Sequence, residues 1–279
     1  MLDKIEMRSK ELIDLKIFQS TFPDFQLSRM NDLHYGLCLR IKKNNTEIIK
    51  IKTNPIWGSD YQTKIIVNPK NWVNFDALKT SLANFSDLDQ FEITRLDHAV
   101  DLKCNIDYIY RRLRIKFKQK STMYDDGNYV DYNRGVITGF YIGKLPELYN
   151  IYDKIAELKK KKRYNQINLE DGPLTRIELR QTKDKIKHKS LKTIFNYLEE
   201  PPFKEIEFYE PNENAKYPAR AERINNFIEK EGLHNAYFNL NDKNNFKRDY
   251  LKYLTPSNFQ ETLNHSYIEN LRHFLGDAR

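Results

Sequence analysis

The chain has 279 residues, long enough for one large domain or a domain with a smaller companion, and its 39% hydrophobic and 13% aromatic residues can fill a core. A formal net charge of +8 and a pI of about 9.1 point toward a nucleic-acid partner. No apolar run approaches a membrane span, the first segment carries charges where a signal peptide needs an apolar stretch, and Cys38 and Cys104 lie in no CxxC or Cys/His cluster. A cytoplasmic protein is expected, with no membrane, no disulfide framework and no structural zinc; both cysteines read as small buried hydrophobes.

In chain order, residues 1–25 read as helical and then irregular, ending near Pro23. His34 to Lys52 alternates apolar and polar on both sides of Asn44-Asn45, the pattern of a β-hairpin. Tyr61 to Val67 reads as a third strand. Asn74 to Phe85 reads as a helix with Phe75, Leu78, Leu82 and Phe85 on one face. Phe91 to Lys103 returns to strand character, and Asp107 to Lys118 to helical spacing.

Asp125 to Asn133 is polar and holds Asp-Gly, so it reads as a loop. Val136 to Gly143 is a strand rich in β-branched and aromatic residues. Tyr149 to Tyr152 is a short strand or the entry to a helix through the lysine cluster. Leu174 to Thr182 alternates as a strand, His188 to Leu198 reads as a helix stopped by Pro201-Pro202, and Glu205 to Tyr209 as a last strand. Beyond Pro218 the chain reads as helical, in three segments with one closing near Pro256. These elements predict an α+β fold, mainly an antiparallel sheet flanked by helices, over residues 1–210, and a helical C-terminal appendage over 211–279.

Positive charge gathers in three runs. Arg111, Arg112, Arg114, Lys116 and Lys118 form the first, Lys159, Lys160, Lys161, Lys162 and Arg163 the second, and Lys183 to Lys192 holds the third. A single run is usually a solvated face; three, with tyrosines between them, favour phosphate contact. Specificity for particular bases needs a separate surface. The C-terminal helices, with Arg220, Arg223, Lys247, Arg248 and Lys252, are one candidate, and an ordinary helical cap packed through Phe227, Tyr237 and Leu251 is the other reading.

Three segments carry candidate chemistry. On the strand Thr94 to Asp101, Asp97 and Asp101 face one side about 13 Å apart. Either can serve a hard cation together with carboxylates from a neighbouring strand, or pair with an arginine. His98 points the other way, packed or exposed. On Thr175 to Arg180, Arg176, Glu178 and Arg180 share one face, which fits a salt-bridge ladder and a metal site with phosphate-holding arginines equally well. The third segment joins Thr138-Gly139-Phe140-Tyr141-Ile142-Gly143-Lys144 to Tyr149-Asn150-Ile151-Tyr152-Asp153-Lys154. The glycines relieve bulk where another backbone or a substrate approaches, and Tyr152 stands beside Lys154. A phenol is a feeble nucleophile at neutral pH and needs a cation or a polarised phosphate.

The order and wording of ITRLDHAVDL, ITGFYIGK with LYNIYDKIAE, and LTRIELR resemble the Rep_trans type of rolling-circle replication initiator, together with its related relaxases and phage replication proteins, over about residues 91–182. The resemblance implies a rolling-circle Rep nuclease-like sheet and site-specific nicking of one DNA strand. Tyr152 would be the nucleophile, leaving a 5′-phosphotyrosine link and a free 3′-hydroxyl for a polymerase. Asp97 and Glu178 would be ligands of magnesium or manganese, with Asp101 a helper, and Lys154 and Arg176 would assist electrostatically, with Arg180 on DNA. Single-stranded or origin DNA, a host helicase, a polymerase and a second copy of the chain are the implied partners; no Walker A motif is present, so unwinding falls to the helicase.

The sequence departs from the family in having no His-hydrophobic-His motif and in carrying Leu145-Pro146-Glu147 where a serine-containing stretch is usual. Tyr149, three residues before Tyr152, is the alternative nucleophile. A relaxase for conjugative transfer shares the same motifs. A non-catalytic basic DNA-binding protein needs only the positive runs and the aromatics.

Overall fold

The computed structural model describes residues 1–13, 26–44, 46–72, 74–84, 86–116, 121–123, 137–163, 166, 172–186, 189–191, 193–194, 201–239 and 251–275. The strands are β1 (Leu2–Ser9), β2 (Gln26–Met30), β3 (Tyr35–Lys43), β4 (Thr46–Pro55), β5 (Thr63–Val67), β6 (Glu92–Leu102), β7 (Leu113–Ile115), β8 (Ser121–Met123), β9 (Gly139–Lys144), β10 (Glu147–Asp153), β11 (Thr175–Thr182), β12 (Ile206–Pro211) and β13 (Leu254–Pro256). The helices are α1 (Phe75–Ala83), α2 (Ile106–Arg112), α3 (Lys154–Lys160), α4 (Pro218–Glu231), α5 (Leu233–Asn239) and α6 (Phe259–Leu275). The fold is α+β with a large antiparallel sheet. Among the described residues no helix is long and apolar enough to cross a membrane.

The chain divides into two compact units, one of Met1–Ala99, Arg180–Pro201 and Tyr267–Arg279, the other of Val100–Leu179 and Pro202–Ser266. In the first, strands run in the order β2-β3-β4-β5-β1-β6, each ladder antiparallel. Alternation gives this sheet one apolar face. Ile5 and Met7 lie across from Val67 and Ile65, which in turn lie across from Ile49 and Ile51; none is more than 1% exposed. Helix α1 starts at Asn74, whose side chain accepts a 2.9 Å hydrogen bond from the Ala77 N–H, and it buries Phe75, Leu78 and Leu82. Phe75 meets Phe274 from the end of α6, ring centroids 6.0 Å apart.

A bulge sets the polar face. Across from β1, Met7 pairs with Ile93 while Glu6 pairs with Arg95, so one extra residue, Thr94, is accommodated on β6. Without it Ile93 and Arg95 would share a face. With it Ile93 stays in the core and Arg95 joins Asp97 on the polar side.

In the second unit the strand order is β11-β10-β9-β8, and a separate sheet has the order β13-β12-β7. The turn between β9 and β10 holds a cis Leu145–Pro146 peptide, and Gly143 before it has φ of 85°. Helices α4 and α5 bury Ala221, Ile224, Ile228, Leu233 and Ala236 against Tyr253 and Leu254. Gly232 links them at φ +75°, and a Cβ there would come within 2.6 Å of the Tyr110 ring, whose hydroxyl donates to the Glu231 carbonyl.

Several sequence expectations are corrected. The first segment is strand β1, not helix: Lys4, Glu6 and Arg8 alternate with Ile5 and Met7, and the charges concealed a two-residue period. The helix expected over 107–118 stops at Arg112, where the chain turns into β7. Of the expected helix 188–198, Ser190 bridges Glu92 while its carbonyl accepts from the Ile194 N–H at 3.0 Å, as in a helical turn; positions 188, 192 and 195–198 lie outside the described residues, as does the loop expected at 125–133. The appendage contains the short strand β13 beside its helices. The hairpin about Asn44, the α1 helix and strands β5, β6, β9, β10, β11 and β12 are found within a few residues of their expected places.

Gly232→Ala combines a disfavoured φ with a clash against Tyr110, and is expected to cost about 2–4 kcal/mol in urea unfolding. Gly172→Ala, at φ +67° but with open space around it, is expected to lose only roughly 1–2 kcal/mol.

Candidate functional site

Strand β10 carries both candidate tyrosines, and because they are three residues apart their side chains leave opposite faces. Tyr149 lies across from Ile142 and is 1% exposed. Burial first, then the charges of Glu147 and Glu205, push its phenol far above the ordinary value. Tyr152 lies across from Gly139, which has no side chain to pack against that flank of the phenol, and it is 8% exposed. The strand ends as the Asp153 side chain accepts 3.0 Å from the Ala156 N–H and starts α3. One residue on, the Lys154 Nζ stands 5.6 Å from the centroid of the Tyr152 ring and 2.6 Å from Glu157 Oε2. Burial alone would raise the Glu157 carboxyl, but hydrogen bonds from Lys154 and Lys161 hold it below its ordinary value. The ion pair with Glu157 thereby holds the ammonium next to Tyr152.

On β11, Ile177 and Leu179 enter the core while Arg176 and Glu178 stand on the other face, both buried. Arg176 is a two-pronged partner of Asp101, Nε to Oδ1 at 2.5 Å and Nη2 to Oδ2 at 2.6 Å.

Asp97, in the first unit, is 1% exposed. Arg95 donates to both of its oxygens, at 2.7 and 2.5 Å, and Arg180 Nε and Lys4 Nζ stand 3.7 and 3.9 Å away. The network continues through Arg95 to Glu6 at 3.5 Å and on to Lys64 at 2.7 Å. Burial opposes ionisation of Glu6, but the Lys64 hydrogen bond and the charges of Lys64, Arg95 and Lys4 hold its carboxyl below the ordinary range.

A divalent cation needs several free oxygens. Asp97 and Asp101 each give both oxygens to a guanidinium, and among the described residues no three His, Cys, Asp or Glu side chains gather as a ligand group. As placed, these carboxylates do not fit a magnesium or manganese ion.

The basic runs differ in availability. Arg111 and Arg112 pair with Glu229, Arg112 also with Glu210, and Arg114 and Lys116 with Glu207, at 2.7 to 3.2 Å. This run is committed to acids from β12 and α4, which its sequence neighbours do not reveal, and Lys118 lies outside the described residues. Lys159, Lys160, Lys161, Lys162 and Arg163, at the end of α3, are all exposed, with Lys161 reaching Glu157. Arg180 pairs with Asp97. In the third run Lys183, Lys185 and Lys189 are exposed. The partners of Asp97, Asp101 and the first run escaped sequence reasoning, since each depends on strand register or on residues far along the chain.

Compared with models of known protein families and with curated proteins, the chain matches none.

His98 occupies the apolar side of β6, its Nδ1 2.6 Å from the Tyr267 hydroxyl. Burial first, then the nearby N-terminal ammonium, lower its pKa from 6.5 to about 4. The unfolded chain therefore takes up a proton over this window that the folded chain refuses. Stability is complete above about pH 6.5 and is lost as pH falls toward 4, on the order of 3 kcal/mol. Urea unfolding between pH 7 and pH 5.5, about one unit above the ordinary carboxylate values, checks this; His98→Gln is expected to flatten the profile.

Proposed function

We propose that the chain is a site-specific single-strand DNA nickase of the rolling-circle replication type, with Tyr152 as its nucleophile. The observation that carries this reading is the setting of Tyr152: across from Gly139, at the end of a strand, with the Lys154 ammonium 5.6 Å from its ring. The ordered motifs supply the family resemblance; this setting supplies a chemical reason for choosing one tyrosine among 18.

In the proposed step the Tyr152 Oη gives up its proton and attacks the scissile phosphorus. A new phosphotyrosine ester forms on the 5′ side, the bond from phosphorus to O3′ breaks, and the leaving O3′ takes a proton to become the free hydroxyl. Lys154 favours the phenolate as it forms and offsets negative charge on the phosphoryl group. The exposed Lys159 to Arg163 run, one short helix beyond, holds flanking phosphates. Magnesium or manganese would act as a Lewis acid on the phosphate, but would require Asp97 or Asp101 to release its arginine. Glu178 is the remaining acid implied by the resemblance. Under this reading the sheet is a Rep nuclease-like one, the protein works in the cytoplasm, and a host helicase, a polymerase and a second copy of the chain are its partners. A replication initiator and a conjugative relaxase share this chemistry.

The ion-pairing of Asp97, Asp101 and Arg176 favours a second reading, a non-catalytic basic DNA-binding protein. The two are separated by incubating wild type, Tyr152→Phe and Tyr149→Phe with single-stranded library DNA, with and without manganese, and resolving adducts on a denaturing gel. The nickase gives a protein–DNA adduct that Tyr149→Phe retains and Tyr152→Phe loses. An adduct that survives Tyr152→Phe overturns the assignment. No adduct from any form, with salt-sensitive binding intact, supports the second reading.

A further inference from the structure

The first unit's sheet has a polar face that no run in the sequence announces. Strand alternation collects it from isolated positions: Lys4 and Arg8 on β1, Lys64 on β5, Lys50 and Lys52 on β4, and Lys42 on β3, four neighbouring strands. Lys50 and Lys52 stand about 7 Å apart along their strand, and adjacent strands lie about 5 Å apart, so the charges form a lattice across the sheet.

For three of these cations the answering carboxylate sits deeper than the cation, whereas Glu47 and Glu92 are at least as exposed as their partners Lys50 and Arg8. The Lys64 side chain is 31% exposed over Glu6 at 12%, Lys4 is 30% exposed over Asp97 at 1%, and Lys52 is 20% exposed over Asp32 at 13%. Lys42 has no ion-pair partner among the described residues. The ammonium groups of Lys64 and Lys52 rest directly on these acids, and each side chain keeps part of its surface toward solvent. Among them is a flat stack: the Arg8 guanidinium lies 3.6 Å from the centroid of the Tyr61 ring, and the Tyr61 hydroxyl donates to Glu92.

We infer that this face binds the backbone of single-stranded nucleic acid, with the Arg8–Tyr61 stack offering a plane for a base. A cation lattice complements a polyanion, and an aromatic or guanidinium plane accepts any base without reading its sequence. An anionic membrane surface would need apolar side chains beside the cations. The large exposed apolar residues of this unit, Leu12, Leu33, Ile56 and Trp57, lie in connections between the strands instead. The surface serves a nickase and a non-catalytic binder alike, so it stands apart from the role of Tyr152.

The test uses the full chain carrying Tyr152→Phe, so that cleavage cannot enter the readout. Binding of a fluorescent oligothymidylate is followed by anisotropy across a salt series. Lys42→Gln/Lys50→Gln/Lys52→Gln is compared with a charge-matched control on residues given no role in binding, Lys79→Gln/Lys216→Gln/Lys230→Gln, both checked for folding by circular dichroism. The first triple is expected to weaken binding at least about tenfold and to reduce the slope of log K against log salt by about 2, the loss of three phosphate contacts on a single strand. The control keeps the parental slope. Tyr61→Leu weakens binding at unchanged slope. Equal losses in both triples, no loss in the first, or a loss of binding to phosphatidylserine vesicles with oligonucleotide binding intact would each overturn the inference.

Discussion

A carboxylate that is 1% exposed cannot stay ionised without partners, and Asp97 has three cations within 4 Å. Taking such a charge out of water costs several kcal/mol, which only close, well-directed donors offset. The polar side of the first unit is arranged around that need. The bulge at Thr94 turns Arg95 toward Asp97, the β1 register brings Lys4 opposite it, and Arg180 reaches it from β11. Glu6, gripped by Lys64 and Arg95, extends the same solution to one more strand, β5. Lys4, Lys64 and Lys52 stand over the acids that they neutralise.

The second unit obeys the same rule. Arg176 answers Asp101, Lys154 answers Glu157, and the 111–116 run answers Glu207, Glu210 and Glu229. What these pairings leave available is more informative than the total charge of the chain. Lys159 to Arg163 are exposed, Lys161 while paired with Glu157, and the Lys154 ammonium stands 2.6 Å from Glu157 and 5.6 Å from the centroid of the Tyr152 ring. The proposed chemistry is built on that remainder, on one tyrosine beside a fixed cation.

Much of the sheet was legible because alternation is a local signal: β6, β9, β10 and β11 were all found near their expected places. The hairpin at Asn44-Asn45 was readable for the same reason, and Asn44 does take a positive φ of 49°. Strand β1 was hidden because its polar positions are all charged and its short apolar set, Ile5 and Met7, fits either period. The end of α2 depended on Leu113 and Ile115 finding β12, more than 90 residues away. Of the candidate site, the strands that carry it, β6, β10 and β11, were legible. Its counter-ions were not. Which arginine meets which acid is set by register between strands, and the acids on the first basic run lie 91 to 118 residues further on. A basic face assembled from every second residue of several strands leaves no run to notice.

The most direct test of this charge arrangement is the equilibrium unfolding of Asp97→Asn in the presence of a chelator. If Asp97 is first of all the counter-ion of Arg95, Arg180 and Lys4, its neutral isostere leaves those cations uncompensated. Stability then falls by at least about 2 kcal/mol with no metal present, discounted from a fully buried pair because Arg95 keeps some solvent contact. Wild-type stability of Asp97→Asn in chelator, with manganese stabilising only the protein that retains Asp97, would contradict the arrangement and make the residue a metal ligand instead.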